Sequence, residues 1–359
     1  MSQLSLFNIG TGHHQGESNN LLVALHRDCT SRSAVGLSAS RGGSWKFIND
    51  GPGSVDEGGG IKAKIASVPG NAMGAGSTKG VINTTDKMVE LFGRINPDQV
   101  NICGHSRGAI TSIRIAAKLY EISPRTPVNL FLVDPVKRMG QGTDFYNREI
   151  HPNVNRIMCV VMEDVGDKGL FKVMSLKTLS ADKERAHLTS DKFLRMPGAH
   201  GTATQIDAPI GHVTYQIARR FLASCGAPVG SGVWDDVRLC NEYFKIPARN
   251  PVVSRRTGKS GRSVFTRTVN DGGVDKLVSK HSRRDRLDGL GINNRFHAHA
   301  VFVNEHHFSI FRTHFPCLAS NLGEGSRIGP ANARLQAEVQ SLKSICPQGF
   351  FLLDGLGLL

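Results

Sequence analysis

Long apolar runs are missing from this 359-residue sequence. A membrane-crossing helix needs about 20 consecutive apolar residues, and no stretch here supplies them. That excludes a helical membrane-spanning protein. The opening residues, MSQLSLFNIG, lack a basic segment followed by an apolar one. The expectation is therefore synthesis in the cytoplasm without a conventional signal peptide. Paired cysteines are missing too. The seven cysteines are odd in number and scattered (Cys29, Cys103, Cys159, Cys225, Cys240, Cys317, Cys346), with no C-x-x-C. Free thiols, in a compartment that is reducing where the chain is made, are expected rather than a disulfide framework. A phosphate loop is absent as well. The glycine-rich stretch 70–80 ends in Lys79-Gly80, whereas G-x-x-x-x-G-K-[ST] needs Ser or Thr after the lysine. That stretch reads as an irregular loop.

Negative charge is in short supply. Forty-four Lys and Arg face 30 Asp and Glu, a formal charge of +14. Such a balance favours anionic partners, whether phospholipid head groups, nucleic acid or an acidic protein, and does not choose among them. Part of the excess is concentrated in residues 251–295, where 11 Lys and Arg stand against four Asp and Glu, a net of +7. This stretch reads either as a solvated basic loop region or as an anionic docking surface.

What the sequence does contain is centred on PDQVNICGHSRGAITSIRIAAKL, residues 97–119. A short apolar run, Val100–Cys103, turns through Gly104-His105-Ser106-Arg107-Gly108 into a segment with Ile110, Ile113 and Ala117 at helical spacing. A strand, a G-x-S-x-G turn and a helix form a nucleophile elbow. The glycines allow a strained serine to stand clear at the carboxyl edge of a sheet, because a side chain at either would collide with the adjoining strand or helix. Other segments alternate around it. Leu4–Ile9, Trp45–Ile48, Val128–Val133 and Val154–Met162 read as strands. Asn19–Arg27, Gly80–Ile95 and a segment within Pro209–Cys225 read as helices. Near-continuous apolar runs such as VNLFLV fit strands buried on both faces of a parallel sheet. The predicted fold class is α/β, α/β-hydrolase-like, a mainly parallel sheet with helices on both faces. Residues 1–225 form the expected catalytic domain and residues 226–359 a basic C-terminal extension or cap. In that extension, Phe296–Phe315 suggests two short strands and Ala331–Ile345 a final helix.

A serine hydroxyl needs a base to take its proton, and the base needs an acid to fix its tautomer. In α/β-hydrolases these follow in the order Ser, Asp or Glu, His. Ser106 is the expected nucleophile. His200, between glycine-bearing turns in MPGAHGT, is the expected base, with His212 as its rival at a helix start. Asp134, which abuts the VNLFLV strand, is the favoured acid. Asp164 is the alternative, and Glu163 and Asp167 lie beside it. His105, inside the elbow, is expected to point away from the nucleophile. An oxyanion needs two converging donors. The amide of Arg107 is one candidate, and the loop Gly10-Thr11-Gly12 after the first strand offers others. No cofactor or metal is required. Two other readings compete: a non-catalytic basic module binding nucleic acid or an acidic partner, and a metal site built from His297, His299, His306, His307 and His314. The first lacks a recognised nucleic-acid motif. The second lacks an acidic or cysteine partner at convincing spacing.

Four ordered pieces resemble the lipase-like α/β-hydrolase family that includes bacterial type VI secretion phospholipase effectors. They are the first strand and its loop (Leu6–Gly12), the glycine-rich stretch 70–80, the elbow Gly104–Ala109 with the next strand ending in Asp134, and the Pro197-Gly198-Ala199-His200 motif. Ile9 stands where the family carries an aspartate, and Gly201–Thr204 stands in place of its glycine-rich segment. The resemblance implies a serine carboxylester hydrolase acting on phospholipid esters at an anionic membrane surface. It also implies export by a specialised secretion system, with secretion machinery or an immunity protein as partners.

Overall fold

Every strand of the central sheet runs parallel to its neighbours. The seven strands are β1 (Gln3–Asn8), β2 (Arg32–Ser33), β3 (Ser44–Asn49), β4 (Gln99–His105), β5 (Val128–Val133), β6 (Val154–Met162) and β7 (Phe193–Met196), in the order β7-β6-β5-β4-β1-β3-β2. The structure is a computed structural model that describes residues 2–34, 39–51, 75–137, 149–163, 172–174, 176–180, 185–198, 200–249, 253–257, 263–271, 274–277, 301–323 and 332–359.

A parallel sheet must be covered on both faces, and the side chains divide accordingly. Leu4, Leu6, Val100, Ile102, Leu130 and Leu132 point to one face. There they meet Met88 and Leu91 of α2 (Ala75–Ile95) and Ile110 and Ile113 of α3 (Arg107–Ile122). Phe7, Cys103, Phe131 and Val133, at the alternate positions, meet Leu22 and Leu25 of α1 (Leu21–Asp28) and Phe221 and Leu222 of α4 (Pro209–Ser224). Apolar residues at successive strand positions thus serve two cores, which is why the strands read as unbroken hydrophobic runs. The fold is α/β-hydrolase-like, as its strand and helix pattern predicts.

Helices α5 (Asp236–Arg249), α6 (Glu305–His314), α7 (Pro316–Gly323), α8 (Ala333–Ile345) and α9 (Pro347–Gly355) lie beyond α4. Tyr243, Phe244, Phe311, Leu318, Leu342 and Leu353 join the same apolar core as Phe221 and Leu222. One expectation fails here. Residues 305–314, read as part of a strand pair, are helical. Asn304 caps the helix by accepting the amide of His307 at 2.8 Å, and His307, Ile310 and Phe311 bury one face. The apparent alternation came from histidines and aromatics interleaved along a helix. Within the basic stretch 251–295 the described residues form three antiparallel strands (253–257, 263–271 and 274–277), and the remainder lies outside the described residues.

At the amino ends of the central strands, buried amide side chains cross the sheet. Asn129 donates to Asn101 Oδ1 at 2.8 Å, and Asn101 donates to Gln3 Oε1 at 3.2 Å. Gln3 and Gln99 continue the chain to the carbonyls of Gly226 (2.8 Å) and Cys225 (2.6 Å). Polar groups taken from water need such partners.

The elbow depends on close approach. A Cβ at Gly108 would lie 2.0 Å from the carbonyl oxygen of Asn8, and one at Gly104 would lie 2.5 Å from the carbonyl oxygen of Gly108. Backbone cannot yield as a flexible side chain can. Gly108→Ala is expected to destabilise the fold by about 3 kcal/mol, read as a shift in the urea midpoint without a change in slope. His26 on α1 supplies a pH signature. Burial and then the nearby Lys46 ammonium lower its pKa from 6.5 to about 4. The unfolded chain therefore takes up a proton as pH falls below 6.5, while the folded chain resists until about pH 4. Stability should decline across that window, and His26→Gln should flatten the decline in thermal melts.

Candidate active site

The strand order reverses between β1 and β4. After β1 the chain adds β2 and β3 on one side, and from β4 it adds β5, β6 and β7 in turn on the other. Ligands in open α/β sheets bind outside the carboxyl ends of the strands at such a switch point. The loop Gly10–Gly12 follows β1, and Ser106 follows β4. A Cβ at Gly10 would be 3.2 Å from Ser106 Cβ, so the two segments abut.

Ser106 occupies the N-cap position of α3 but does not cap it. Its backbone has φ 56° and ψ −120°, and its side chain makes no capping bond. A serine at that position normally accepts from the amides of the first turn. Here the hydroxyl lies 2.9 Å from His200 Nε2 instead. His200 Nδ1 lies 2.5 Å from Asp134 Oδ2. A carboxylate can only accept, so Nδ1 carries the proton and Nε2 is left as an acceptor for the serine hydroxyl. Asp134 is fully buried. Its other oxygen accepts the Met162 amide at 3.1 Å, and its own amide donates to Val160 O at 2.7 Å. Its φ of 45° turns the chain out of β5 and presents the carboxylate. Gly198, at φ 115°, makes the turn that brings His200 back from β7.

The structure thus brings Ser106, His200 and Asp134 together. Of the rivals, Glu163 and His212 have other partners. Glu163 pairs with the buried guanidinium of Arg195, Nε to Oε1 at 2.9 Å. Asp164 and Asp167 lie outside the described residues. His212 stacks on Trp234 with ring centres 4.9 Å apart, and its Nδ1 is 3.1 Å from Ile206 O. Of the histidines proposed as metal ligands, His297 and His299 lie outside the described residues. His307 is buried with its Nδ1 on the Val303 amide, and no cluster suited to a metal occurs among the described residues.

Donors surround the serine. The first amides of a helix, here beginning at Arg107, have no intrahelical acceptor and carry the positive end of the dipole. The amides of Gly10, Thr11 and Gly12 donate to no other described residue, and Thr11 Oγ1 is buried without a partner among them. The loop is pinned from both sides by His13 N to Gly10 O at 3.2 Å and Gly51 N to His13 O at 3.0 Å. Behind the elbow, Asn49 donates to Asn8 (2.8 Å), Asn8 to Ser112 (2.9 Å) and Ser112 to Gly108 O (2.8 Å). Sequence reasoning missed this network, although asparagines ending two neighbouring strands were a visible signal.

His105 packs beside the base. It lies against the base, a contact that its place in the elbow did not announce, with ring centres 4.8 Å apart and Nε2 3.3 Å from His200 O. The ring lies between the His200 ring and Gly10, at which a Cβ would come within 2.5 Å of its Nδ1. Burial, together with His200 and His13, holds its pKa well below the usual histidine range, so the ring is neutral.

The arrangement can activate a hydroxyl, hold an imidazolium and receive developing negative charge. The sequence matches no family model, and no curated protein matches it. Among solved structures the chain is similar to "the putative cell surface hydrolase from Lactobacillus plantarum WCFS1", with 9% identity and a TM-score of 0.34 over 62% of this chain and 91% of that one.

Proposed function

We propose that the protein is a serine hydrolase that cleaves carboxylic esters, with phospholipids as its substrate class. The observation that carries this reading is the unbroken hydrogen-bonded line from Ser106 through His200 to buried Asp134. Ser106 Oγ attacks the ester carbonyl while His200 Nε2 takes its proton. The imidazolium so formed is held by Asp134, which stays ionised. The carbonyl oxygen becomes an oxyanion facing the amides of Arg107 and the Gly10–Gly12 loop. Donors already in place cost no reorganisation as the charge develops. His200 then gives the proton to the departing alcohol, leaving an acyl-enzyme on Ser106. Water, deprotonated by His200, repeats the sequence and releases the acid.

The phospholipid assignment rests on the sequence resemblance and on the charge of +14, which would draw a basic protein to an anionic lipid surface at about 1 kcal/mol per cation near it. Export by a specialised secretion system follows from the resemblance alone.

Ser106→Ala should lower ester hydrolysis by about 10⁴-fold or more and abolish fluorophosphonate labelling, with the circular dichroism unchanged. Labelling that persists would sink the reading. Asp134→Asn, which reverses the hydrogen bond that fixes the His200 tautomer, should reduce kcat by about 10⁴-fold with KM little altered. Fatty-acid release from phosphatidylglycerol vesicles, measured against phosphatidylcholine vesicles and soluble esters, tests the substrate class.

A further inference from the structure

The neutral imidazole beside the base has no step in that reaction. His105 is 2% exposed and lies in the variable position of the elbow, one residue before Ser106. Its Nε2 is 3.3 Å from the backbone carbonyl of His200. A carbonyl only accepts, so Nε2 carries the hydrogen and Nδ1 a lone pair. Nδ1 has no partner among the described residues, and it is turned toward Gly10, where a Cβ would approach it to 2.5 Å. The ring faces that of His200 at 32°, with centres 4.8 Å apart, and the His13 ring stands 6.4 Å away on its outer side. One side chain therefore touches both the backbone and the ring of the base, from the same turn that carries the nucleophile.

The geometry points to His105 as a positioning residue that ties the His200 loop to the elbow, so that nucleophile and base are held in register by one hydrogen bond and one ring contact. This rests on the serine-hydrolase reading of the site. The base arrives on a loop that leaves the sheet after β7, while Ser106 follows β4, two strands removed from β6 and three from β7. Asp134 fixes the far side of the imidazole through Nδ1. The direct tie from His105 fixes the peptide that carries it. A buried ring with an unpartnered lone pair is costly to retain, and the bond to His200 O is its sole hydrogen bond to a described residue. Misplacing a catalytic group by about 1 Å can cost on the order of 100-fold in rate.

The test compares His105→Phe, which keeps a ring and loses the donor, with His105→Gln, whose amide nitrogen can reach the same carbonyl. Both are measured on a soluble p-nitrophenyl ester across pH, with thermal melts to confirm folding. A second readout, independent of turnover, is the low-field proton resonance of the His200–Asp134 hydrogen bond. In His105→Phe, kcat should fall on the order of 100-fold with KM within about twofold. The acid limb of kcat/KM should move to lower pH as Asp134 holds the imidazolium less well, and the low-field resonance should be lost. His105→Gln should restore the resonance, the limb and most of kcat. Wild-type kcat and an unchanged resonance in His105→Phe would overturn the inference. So would equal losses in both variants with an unmoved limb, which would make His105 packing alone. A wild-type protein that shows the resonance yet neither hydrolyses esters nor reacts with a fluorophosphonate would overturn the hydrolase reading, while the resonance in the variants still decides the tie.

Discussion

The site depends on a backbone conformation that a serine does not choose for itself. Ser106 is held at φ 56° between a strand and a helix, a region that costs an L-residue about 1–3 kcal/mol. Strain of this kind persists only where the surroundings over-determine it. Here the Ser106 amide is fixed to Val133 O at 2.9 Å, and the two elbow glycines let β1, β4 and α3 come within backbone contact. Among the described residues, Asn96 before β4 (φ 50°) and Asp134 at the carboxyl edge (φ 45°) are the other non-glycines at positive φ. At the carboxyl edge the two unfavourable backbones, Ser106 and Asp134, belong to the two ends of one hydrogen-bonded line, and His200 arrives on a loop between them.

Burial makes that line chemically effective. Ser106, His200 and Asp134 are 4%, 7% and 0% exposed, so water competes little for their hydrogen bonds. In such surroundings an ion pair formed during reaction is worth far more than in solvent. The same dryness would penalise a second charge, and the His105 ring pressed against His200 carries none.

Much of this was legible in the sequence because the physics was local. VNLFLV and VNRIMCVVM are strands over the residues their apolar runs mark, Val128–Val133 and Val154–Met162. The elbow could be read because Gly104 answers to Gly108, Ala109 and Ser112 in the same turn and helix, whereas Gly108 answers to Asn8 on β1. The choice among carboxylates was harder, since Asp134 and Glu163 both follow buried strands. What separates them is long-range: Glu163 meets Arg195, a strand away, whereas Asp134 is turned by its own backbone toward His200. The direction of the His105 ring was not legible at all. A side chain inside a turn can face either wall, and only the close packing of Gly10 decides it. Residues 305–314 misled for a different reason. Histidine and phenylalanine have no strong helical preference, and the signal that outweighed them was one capping asparagine, Asn304.

The amide ladder at the opposite end of the sheet has a bearing on this geometry. Gln3, Asn101 and Asn129 link β1, β4 and β5 where the strands begin, some six residues before the loop and the elbow. Apolar strands in a parallel sheet have little to stop them sliding, because one oily side chain substitutes for another. A slip of two residues keeps every face correct, yet it displaces one strand end by about 6.6 Å. That is more than twice the 2.9 Å separating His200 from Ser106. The carboxamides make such a slip expensive, since each would lose its partner inside a dry interior. They act as an alignment gauge, and the tolerance they set at one edge of the sheet is passed along stiff strands to the other.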